Sequence, residues 1–161
     1  MTSKKILIIG GSGYVGSKLI LELLKKKFYV VNYDLDLFGA KHLPKKNKKF
    51  FHIKGDIRDL KKLQKTIIKN KPDTIIHLAC ISNDPSFELD NKLSKKINYD
   101  SFFGLMNILK KNKISKFIFA STCSVYGVSK RPKVTESHPL KPITAYNKYK
   151  AAWKKIEALT N

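Results

Sequence analysis

The stretch Gly10-Gly11-Ser12-Gly13-Tyr14-Val15-Gly16 constrains this chain more than any other. It follows Lys4 to Gly10, an apolar, β-branched run that reads as a buried parallel strand. It opens Tyr14 to Lys27, where Val15, Leu19, Leu23 and Leu24 recur at helical spacing and lysines fill the last turn. A chain passing from strand to helix there must turn sharply, let a ligand approach its backbone and pack the helix against the sheet. Each task favours a residue without a side chain. The helix opening adds free N–H groups and a positive dipole end, which together receive phosphate. A glycine triplet between a strand and a helix, in the first βαβ unit, therefore predicts a cradle for the pyrophosphate of a dinucleotide.

The rest of the chain continues the alternation. Strands are predicted over Phe28 to Tyr33, Lys49 to Lys54, Thr74 to Ala79 and Lys116 to Ser121. Helices are predicted over Ile57 to Asn70, with Leu60, Leu63, Ile67 and Ile68 on one face, over Phe87 to Asn112 as mostly one long helix, and over Thr144 to Leu159. Five strands joined by helical crossovers predict an α/β fold: a doubly wound, Rossmann-like parallel sheet of order 3-2-1-4-5. Its ligand crevice is expected at the carboxyl ends of strands 1 and 4.

Composition narrows the function classes. The 161 residues suffice for one domain with a core. No apolar run approaches the length that crosses a bilayer, and Ile6-Leu7-Ile8-Ile9 is too short for a signal-peptide core, so a cytoplasmic protein is expected. The net charge of +21 raises a nucleic-acid reading. The excess is almost all lysine, with only Arg58 and Arg131 as arginines, and the lysines fall in nearly every exposed stretch rather than in one patch. A solvated surface explains them better than base recognition does. Cys80 and Cys123 lack metal-ligand spacing, so no metal site and no disulfide are expected. His42, His52, His77 and His138 are read as structural or exposed, and Trp153 as a packing or interface residue.

Two further features point to chemistry. Asp34 ends the second strand, 24 residues after Gly10. A carboxylate there accepts hydrogen bonds from the adenosine ribose hydroxyls and repels a 2′-phosphate, which favours NAD over NADP. Asp36 is the competing carboxylate. Tyr146 and Lys150 stand four apart, on one helix face. A free tyrosine with a pKa of about 10 is only about 0.1% ionised at pH 7, and an ammonium nearby favours the phenolate.

Gly10/Gly13/Gly16, Asp34, Gly55-Asp56-Ile57-Arg58, His77-Leu78-Ala79, Asn98, Ser121-Thr122-Cys123-Ser124-Val125-Tyr126-Gly127 and Tyr146-x-x-x-Lys150 together resemble the extended short-chain dehydrogenase/reductase family. Within it, the match is to the NAD-dependent sugar epimerase/dehydratase group, over its nucleotide-binding part. The resemblance implies roles by position. Gly10, Gly13, Tyr14, Val15 and Gly16 would hold the pyrophosphate and Asp34 the ribose. Asp56 and Ile57 would hold the adenine. Leu78, Ala79 and Cys80, in the turn after the fourth strand, would line the pyrophosphate and ribose side. Asn98 would support the active-site backbone. Thr122 would hydrogen-bond the reacting sugar hydroxyl, Tyr146 would take its proton, and Lys150 would grip the nicotinamide ribose and keep the tyrosine ionised.

The implied cofactor is NAD and the implied substrate a nucleotide-sugar, and residues 1–161 are read as one NAD-binding domain that carries a catalytic Tyr/Lys helix. The implied partner is a second copy, since the helices matching Phe87 to Asn112 and Thr144 to Leu159 pair across a dimer axis in the family. Sugar 4,6-dehydratases carry an Asp-Glu pair directly after the catalytic threonine. Cys123 and Ser124 stand there instead, and neither does acid-base work of that kind at neutral pH. Epimerase chemistry is therefore expected, with simple dehydrogenase or reductase chemistry as the alternative. Family members continue past the Tyr-x-x-x-Lys helix into a substrate domain, which is expected to be absent here. NAD binding without turnover stays open for that reason, and the fifth strand would keep a poorly covered edge.

Overall fold

A computed structural model describes residues 4–112, 114–129 and 133–152. The chain divides into two compact units, Met1–Cys80 with Asp100–Ala120 and Ile81–Tyr99 with Ser121–Asn161.

The first unit contains a five-stranded parallel sheet: β1 (Lys5–Ile9), β2 (Tyr29–Asp34), β3 (Phe50–Lys54), β4 (Thr74–His77) and β5 (Lys116–Phe119). The strand order is β3-β2-β1-β4-β5, as the alternation predicts. Helices α1 (Tyr14–Lys25), α2 (Leu60–Asn70) and α5 (Ser101–Lys111) belong to the same unit. β1 lies at the centre and is buried from Ile6 to Ile9, because apolar β-branched residues suit a strand covered on both faces. Ile6, Ile8, Ile20, Val30, Leu43 and Ile76 form one apolar cluster. Leu7, Ile9, Val31 and Ile75 alternate to the opposite face and are also buried. Each such side chain contributes about 2 kcal/mol of transfer free energy. The outer strands β3 and β5 are more exposed. His77, expected to be structural, is buried and stacks on Phe102, ring centroids 6.1 Å apart.

The helix predicted from Ile57 starts at Leu60 instead. The Asp59 carboxylate accepts a hydrogen bond from Lys62 N (3.0 Å) and caps the helix, so the residues before it run in a turn. Lys71 in a left-handed conformation ends it, one residue ahead of Pro72.

The long helix predicted over Phe87 to Asn112 is broken. Its residues fall in α3 (Asp84–Glu88), α4 (Asn91–Lys95), a π turn (Lys96–Asp100) and α5. Asn83 and Asp90 leave helical geometry and cap the first two pieces through Ser86 N (2.8 Å) and Leu93 N (2.9 Å). Apolar spacing alone does not register the break at Asp90, because Leu89 and Leu93 keep helical spacing across it.

The second unit holds α3, α4, most of the π turn, a short 3-10 turn (Cys123–Tyr126) and α6 (Ala145–Ala152). Phe87, Tyr99, Tyr146 and Tyr149 gather there, with centroid separations of 4.9 Å for Tyr99–Tyr149 and 5.5 Å for Phe87–Tyr149. The predicted helix beyond Ala152, with Trp153, lies outside the described residues, as does Arg131. Among the described residues no helix is long and apolar enough to cross a membrane.

Candidate functional site

In the first unit the chain leaves β1 at Gly10, whose φ of +90° suits glycine. A Cβ at Gly10 would sit 2.4 Å from Ala79 N, and one at Gly16 would sit 2.5 Å from Gly11 Cα. Glycine is therefore required at both places by backbone on backbone contact. Gly13 differs. A Cβ there would meet only Gly10 O, at 3.5 Å, so the space above it is open. Gly13 is also the N-cap of α1 and supplies no side-chain cap. The first N–H groups of α1, at Tyr14, Val15 and Gly16, consequently remain available to an anion. Tyr14 and Val15 are exposed at this opening. A diphosphate fits such a cradle in shape and charge.

Asp34 ends β2 beside this loop. Its carboxylate accepts hydrogen bonds from Ser12 N (2.9 Å) and Asp36 N (2.7 Å), one on each oxygen, which leaves lone pairs for further donors. Asp56 lies after β3. Its carboxylate takes bonds from Arg58 N (2.8 Å) and Arg58 Nε (3.0 Å), and the guanidinium beside it holds its pKa below the usual carboxylate value. Ile57 is buried next to it. Gly55 packs under Tyr33, and a Cβ there would overlap the ring. Burial, with Asp59 and Asp56 nearby, pushes the Tyr33 phenol up to about 12, and its hydroxyl donates to Asp56 O (2.8 Å). Leu78 N and Ala79 N both bond Ile9 O, which ties the turn after β4 to the end of β1. Cys80 is half-buried with a free thiol.

The second unit carries the other predicted residues. Asn98, in the π turn, donates from Nδ2 to Ile81 O and accepts at Oδ1 from Ile81 N, both at 2.8 Å. It thus holds the main chain of Ile81 at both its N–H and its carbonyl. Thr122 caps the 3-10 turn, and its hydroxyl lies 2.8 Å from Ser124 Oγ. Ser124 Oγ in turn donates to Asn147 Oδ1 (2.7 Å), which joins the Thr122 turn to α6. Tyr146 and Lys150 stand one turn apart on α6, with Lys150 Nζ 5.9 Å from the Tyr146 ring centroid. Both are buried. Among the described residues Lys150, 5% exposed, is the only lysine in the buried class, in a chain whose other described lysines are exposed or half-exposed. Lysine is rarely buried without a task or a partner.

Sequence reasoning missed several polar residues around these groups. Asn32, fully buried in the middle of β2, accepts from Gly11 N (3.0 Å) and donates to Ser12 Oγ (3.1 Å). His42 donates to Ser12 O (3.0 Å). His52, read as structural or exposed, reaches Asn32 and Asp36. Ser124 and Asn147 were likewise unassigned. One signal was present: an asparagine inside the apolar strand Tyr29–Asp34 requires a partner. Among the described residues no group of three or more His, Cys, Asp or Glu is placed to hold a metal ion.

Comparison with known proteins places the chain among described relatives. The profile of the "NAD dependent epimerase/dehydratase family" matches residues 6–158. The chain is 31% identical over 156 residues to UDP-glucose 4-epimerase of Rhizobium meliloti (strain 1021), covering 93% of this chain and 45% of that protein. It is 30% identical over 154 residues to UDP-glucose 4-epimerase of Lactobacillus helveticus, covering 96% and 46%. The solved structure of UDP-glucose 4-epimerase from Brucella ovis in complex with NAD superposes with a TM-score of 0.86 at 25% identity, over 97% of this chain and 47% of that one. The chain spans about half the length of the relatives it matches. On the extent of the profile match, the chain belongs to the NAD dependent epimerase/dehydratase family.

Proposed function

We propose that residues 1–161 form the cofactor-binding and catalytic part of an NAD-dependent nucleotide-sugar epimerase. The observation that carries this reading is the buried Lys150 beside the buried Tyr146. A buried ammonium near a phenol favours the phenolate, the form that accepts a proton. Support also comes from relatives named UDP-glucose 4-epimerase and from Cys123 and Ser124, where dehydratases carry carboxyl groups.

In this reading Gly10, Gly13, Tyr14, Val15 and Gly16 receive the diphosphate on backbone N–H groups. Asp34 accepts the ribose hydroxyls. Asp56 and Ile57 flank the adenine, and Leu78, Ala79 and Cys80 line the diphosphate and ribose side. NAD, when bound, supplies reversible hydride acceptance. The chain's own residues handle the proton. Thr122 orients the sugar hydroxyl by hydrogen bonding, Tyr146 Oη takes its proton and later gives it back, and Lys150 holds Tyr146 ionised and binds the nicotinamide ribose. Asn98 keeps the main chain at Ile81 fixed. A keto-sugar that turns its other face before reduction leaves inverted at that carbon. Pairing of two copies belongs to the same reading, and sedimentation velocity tests it.

Isothermal titration with NAD on the wild type and Asp34→Ala tests the cofactor assignment, and silence from the wild type overturns it. Turnover assays with UDP-, GDP- and dTDP-sugars test the chemistry. Epimerisation that disappears in Tyr146→Phe while NAD binding persists supports the assignment. Net NADH formation instead favours a dehydrogenase. NAD binding with no turnover of any sugar reduces the chain to a cofactor-binding module.

A further inference from the structure

We propose that Asp36, held in place by His52, is a second cofactor-selecting carboxylate that acts together with Asp34 to reject a phosphorylated adenosine ribose. This inference rests on the NAD reading above and goes beyond the single carboxylate assigned there.

The geometry is a directional hydrogen-bond chain. Asn32 and His52 are direct partners in the register of β2 and β3, so their side chains share one face of the sheet. Asn32 Oδ1 accepts from Gly11 N (3.0 Å), which fixes the orientation of the amide. Its Nδ2 then has two protons to donate, one to Ser12 Oγ (3.1 Å) and one to His52 Nδ1 (3.0 Å). Because His52 Nδ1 accepts, the ring proton sits on Nε2, which donates to Asp36 Oδ2 (2.9 Å). Ser12 Oγ, already accepting from Asn32, donates its proton to Asp36 Oδ1 (2.8 Å). Every side-chain proton along the path has an acceptor, and the path ends on the two oxygens of the Asp36 carboxyl group.

The backbone is shaped for the same end. Asp36 has a φ of +61°, a left-handed conformation that aspartate tolerates better than most residues. That turn brings Asp36 N onto Asp34 Oδ1 (2.7 Å). Ser12 then binds both carboxylates, Asp34 through its N–H (2.9 Å) and Asp36 through its hydroxyl. Two negative charges are thus fastened to one residue of the glycine loop, in a chain of net charge +21 whose surface otherwise attracts anions. The Asp36 side chain is only 11% exposed, so solvent screens it incompletely. A 2′-phosphate on a ribose held by Asp34 would meet both charges, and like charges brought together at a binding surface are costly. His52 does not touch the ligand in this account. It is a positioning residue.

The test is the ratio of NAD to NADP affinity, measured by isothermal titration on the full chain. A merely structural loss weakens both dinucleotides alike and leaves the ratio unchanged. The wild type is expected to prefer NAD on the order of 100-fold, Asp36→Asn to narrow the preference roughly tenfold, and Asp34→Asn to weaken NAD while NADP stays disfavoured. The double variant Asp34→Asn/Asp36→Asn should bring the ratio near one. His52→Leu should behave like Asp36→Asn, and His52→Gln, which keeps a donor toward Asp36, should restore the wild-type ratio. If His52→Leu fails to fold, the shape-preserving Asp36→Asn still decides. A ratio unchanged in Asp36→Asn, or already abolished by Asp34→Asn alone, overturns the inference while leaving the NAD reading intact. A wild type that binds neither dinucleotide overturns the NAD reading and this inference with it.

Discussion

The two units of this chain hold their functional groups in different ways. In the first, the groups proposed to meet the cofactor are mainly backbone N–H groups, placed by close contacts between main-chain segments at the end of β1. In the second, they are side chains, Thr122, Tyr146 and Lys150, placed by a hydroxyl-to-amide chain and by aromatic packing on short helices. A backbone cradle tolerates little change, because nothing can move aside when a Cβ meets main chain. A site built from side chains on short capped helices depends on individual bonds, each worth about 1 kcal/mol. Binding and chemistry should therefore fail differently under mutation.

The sharpest way to break that comparison is Gly10→Ala. Its Cβ would meet Ala79 N at 2.4 Å on a backbone with φ of +90°. The expected loss is on the order of 3 kcal/mol in urea denaturation. Near-wild-type stability would show that the loop can yield and would end the contrast. Gly55→Ala comes next. The obstacle is the Tyr33 ring, itself buried, so the expected cost is about 2 kcal/mol. A smaller side chain at position 33 should recover part of that cost in the double variant, which separates side-chain from backbone obstruction.

Asp90→Ala probes the second unit. It removes the cap on Leu93 N and should cost about 1 kcal/mol. Amide hydrogen exchange should accelerate at Asn91–Lys95 and not in β1. Faster exchange throughout β1 would mean that the two units unfold as one. Arg58→Ala should have the smallest effect, about 0.5 kcal/mol at neutral pH, since the guanidinium is partly exposed. The sign of its pH dependence is fixed. Asp56 is held below its unfolded pKa, so the pair stabilises above the unfolded carboxylate value and ceases to do so as pH falls through the folded one. Wild type and variant should converge in acid. A difference that grows on acidification would contradict the pairing.

Much of the first unit was legible in the sequence. The apolar run ending at Gly10, the glycine spacing and the alternation of strand and helix are local signals, and they predict the observed strand order. Tyr146 and Lys150 were legible as a pair for the same reason, since a spacing of four is a property of one helix. The broken helix was not. Asn83 lies ahead of the predicted helix and Asp90 reads as an ordinary polar position within its apolar rhythm, and only their extended backbone makes them caps.

The sequence by itself determined the order of the elements, the glycine turn and the types of the candidate residues, because these follow from repeats a few residues long. Only the tertiary structure decided that Lys150 is buried, that Gly55 lies under Tyr33, and that Asn32, His52 and Asp36 form one chain with Ser12. The physical reason is register. Asn32 and His52 become neighbours only when β2 and β3 pair in the observed alignment, and a one-residue slip would send them to opposite faces of the sheet.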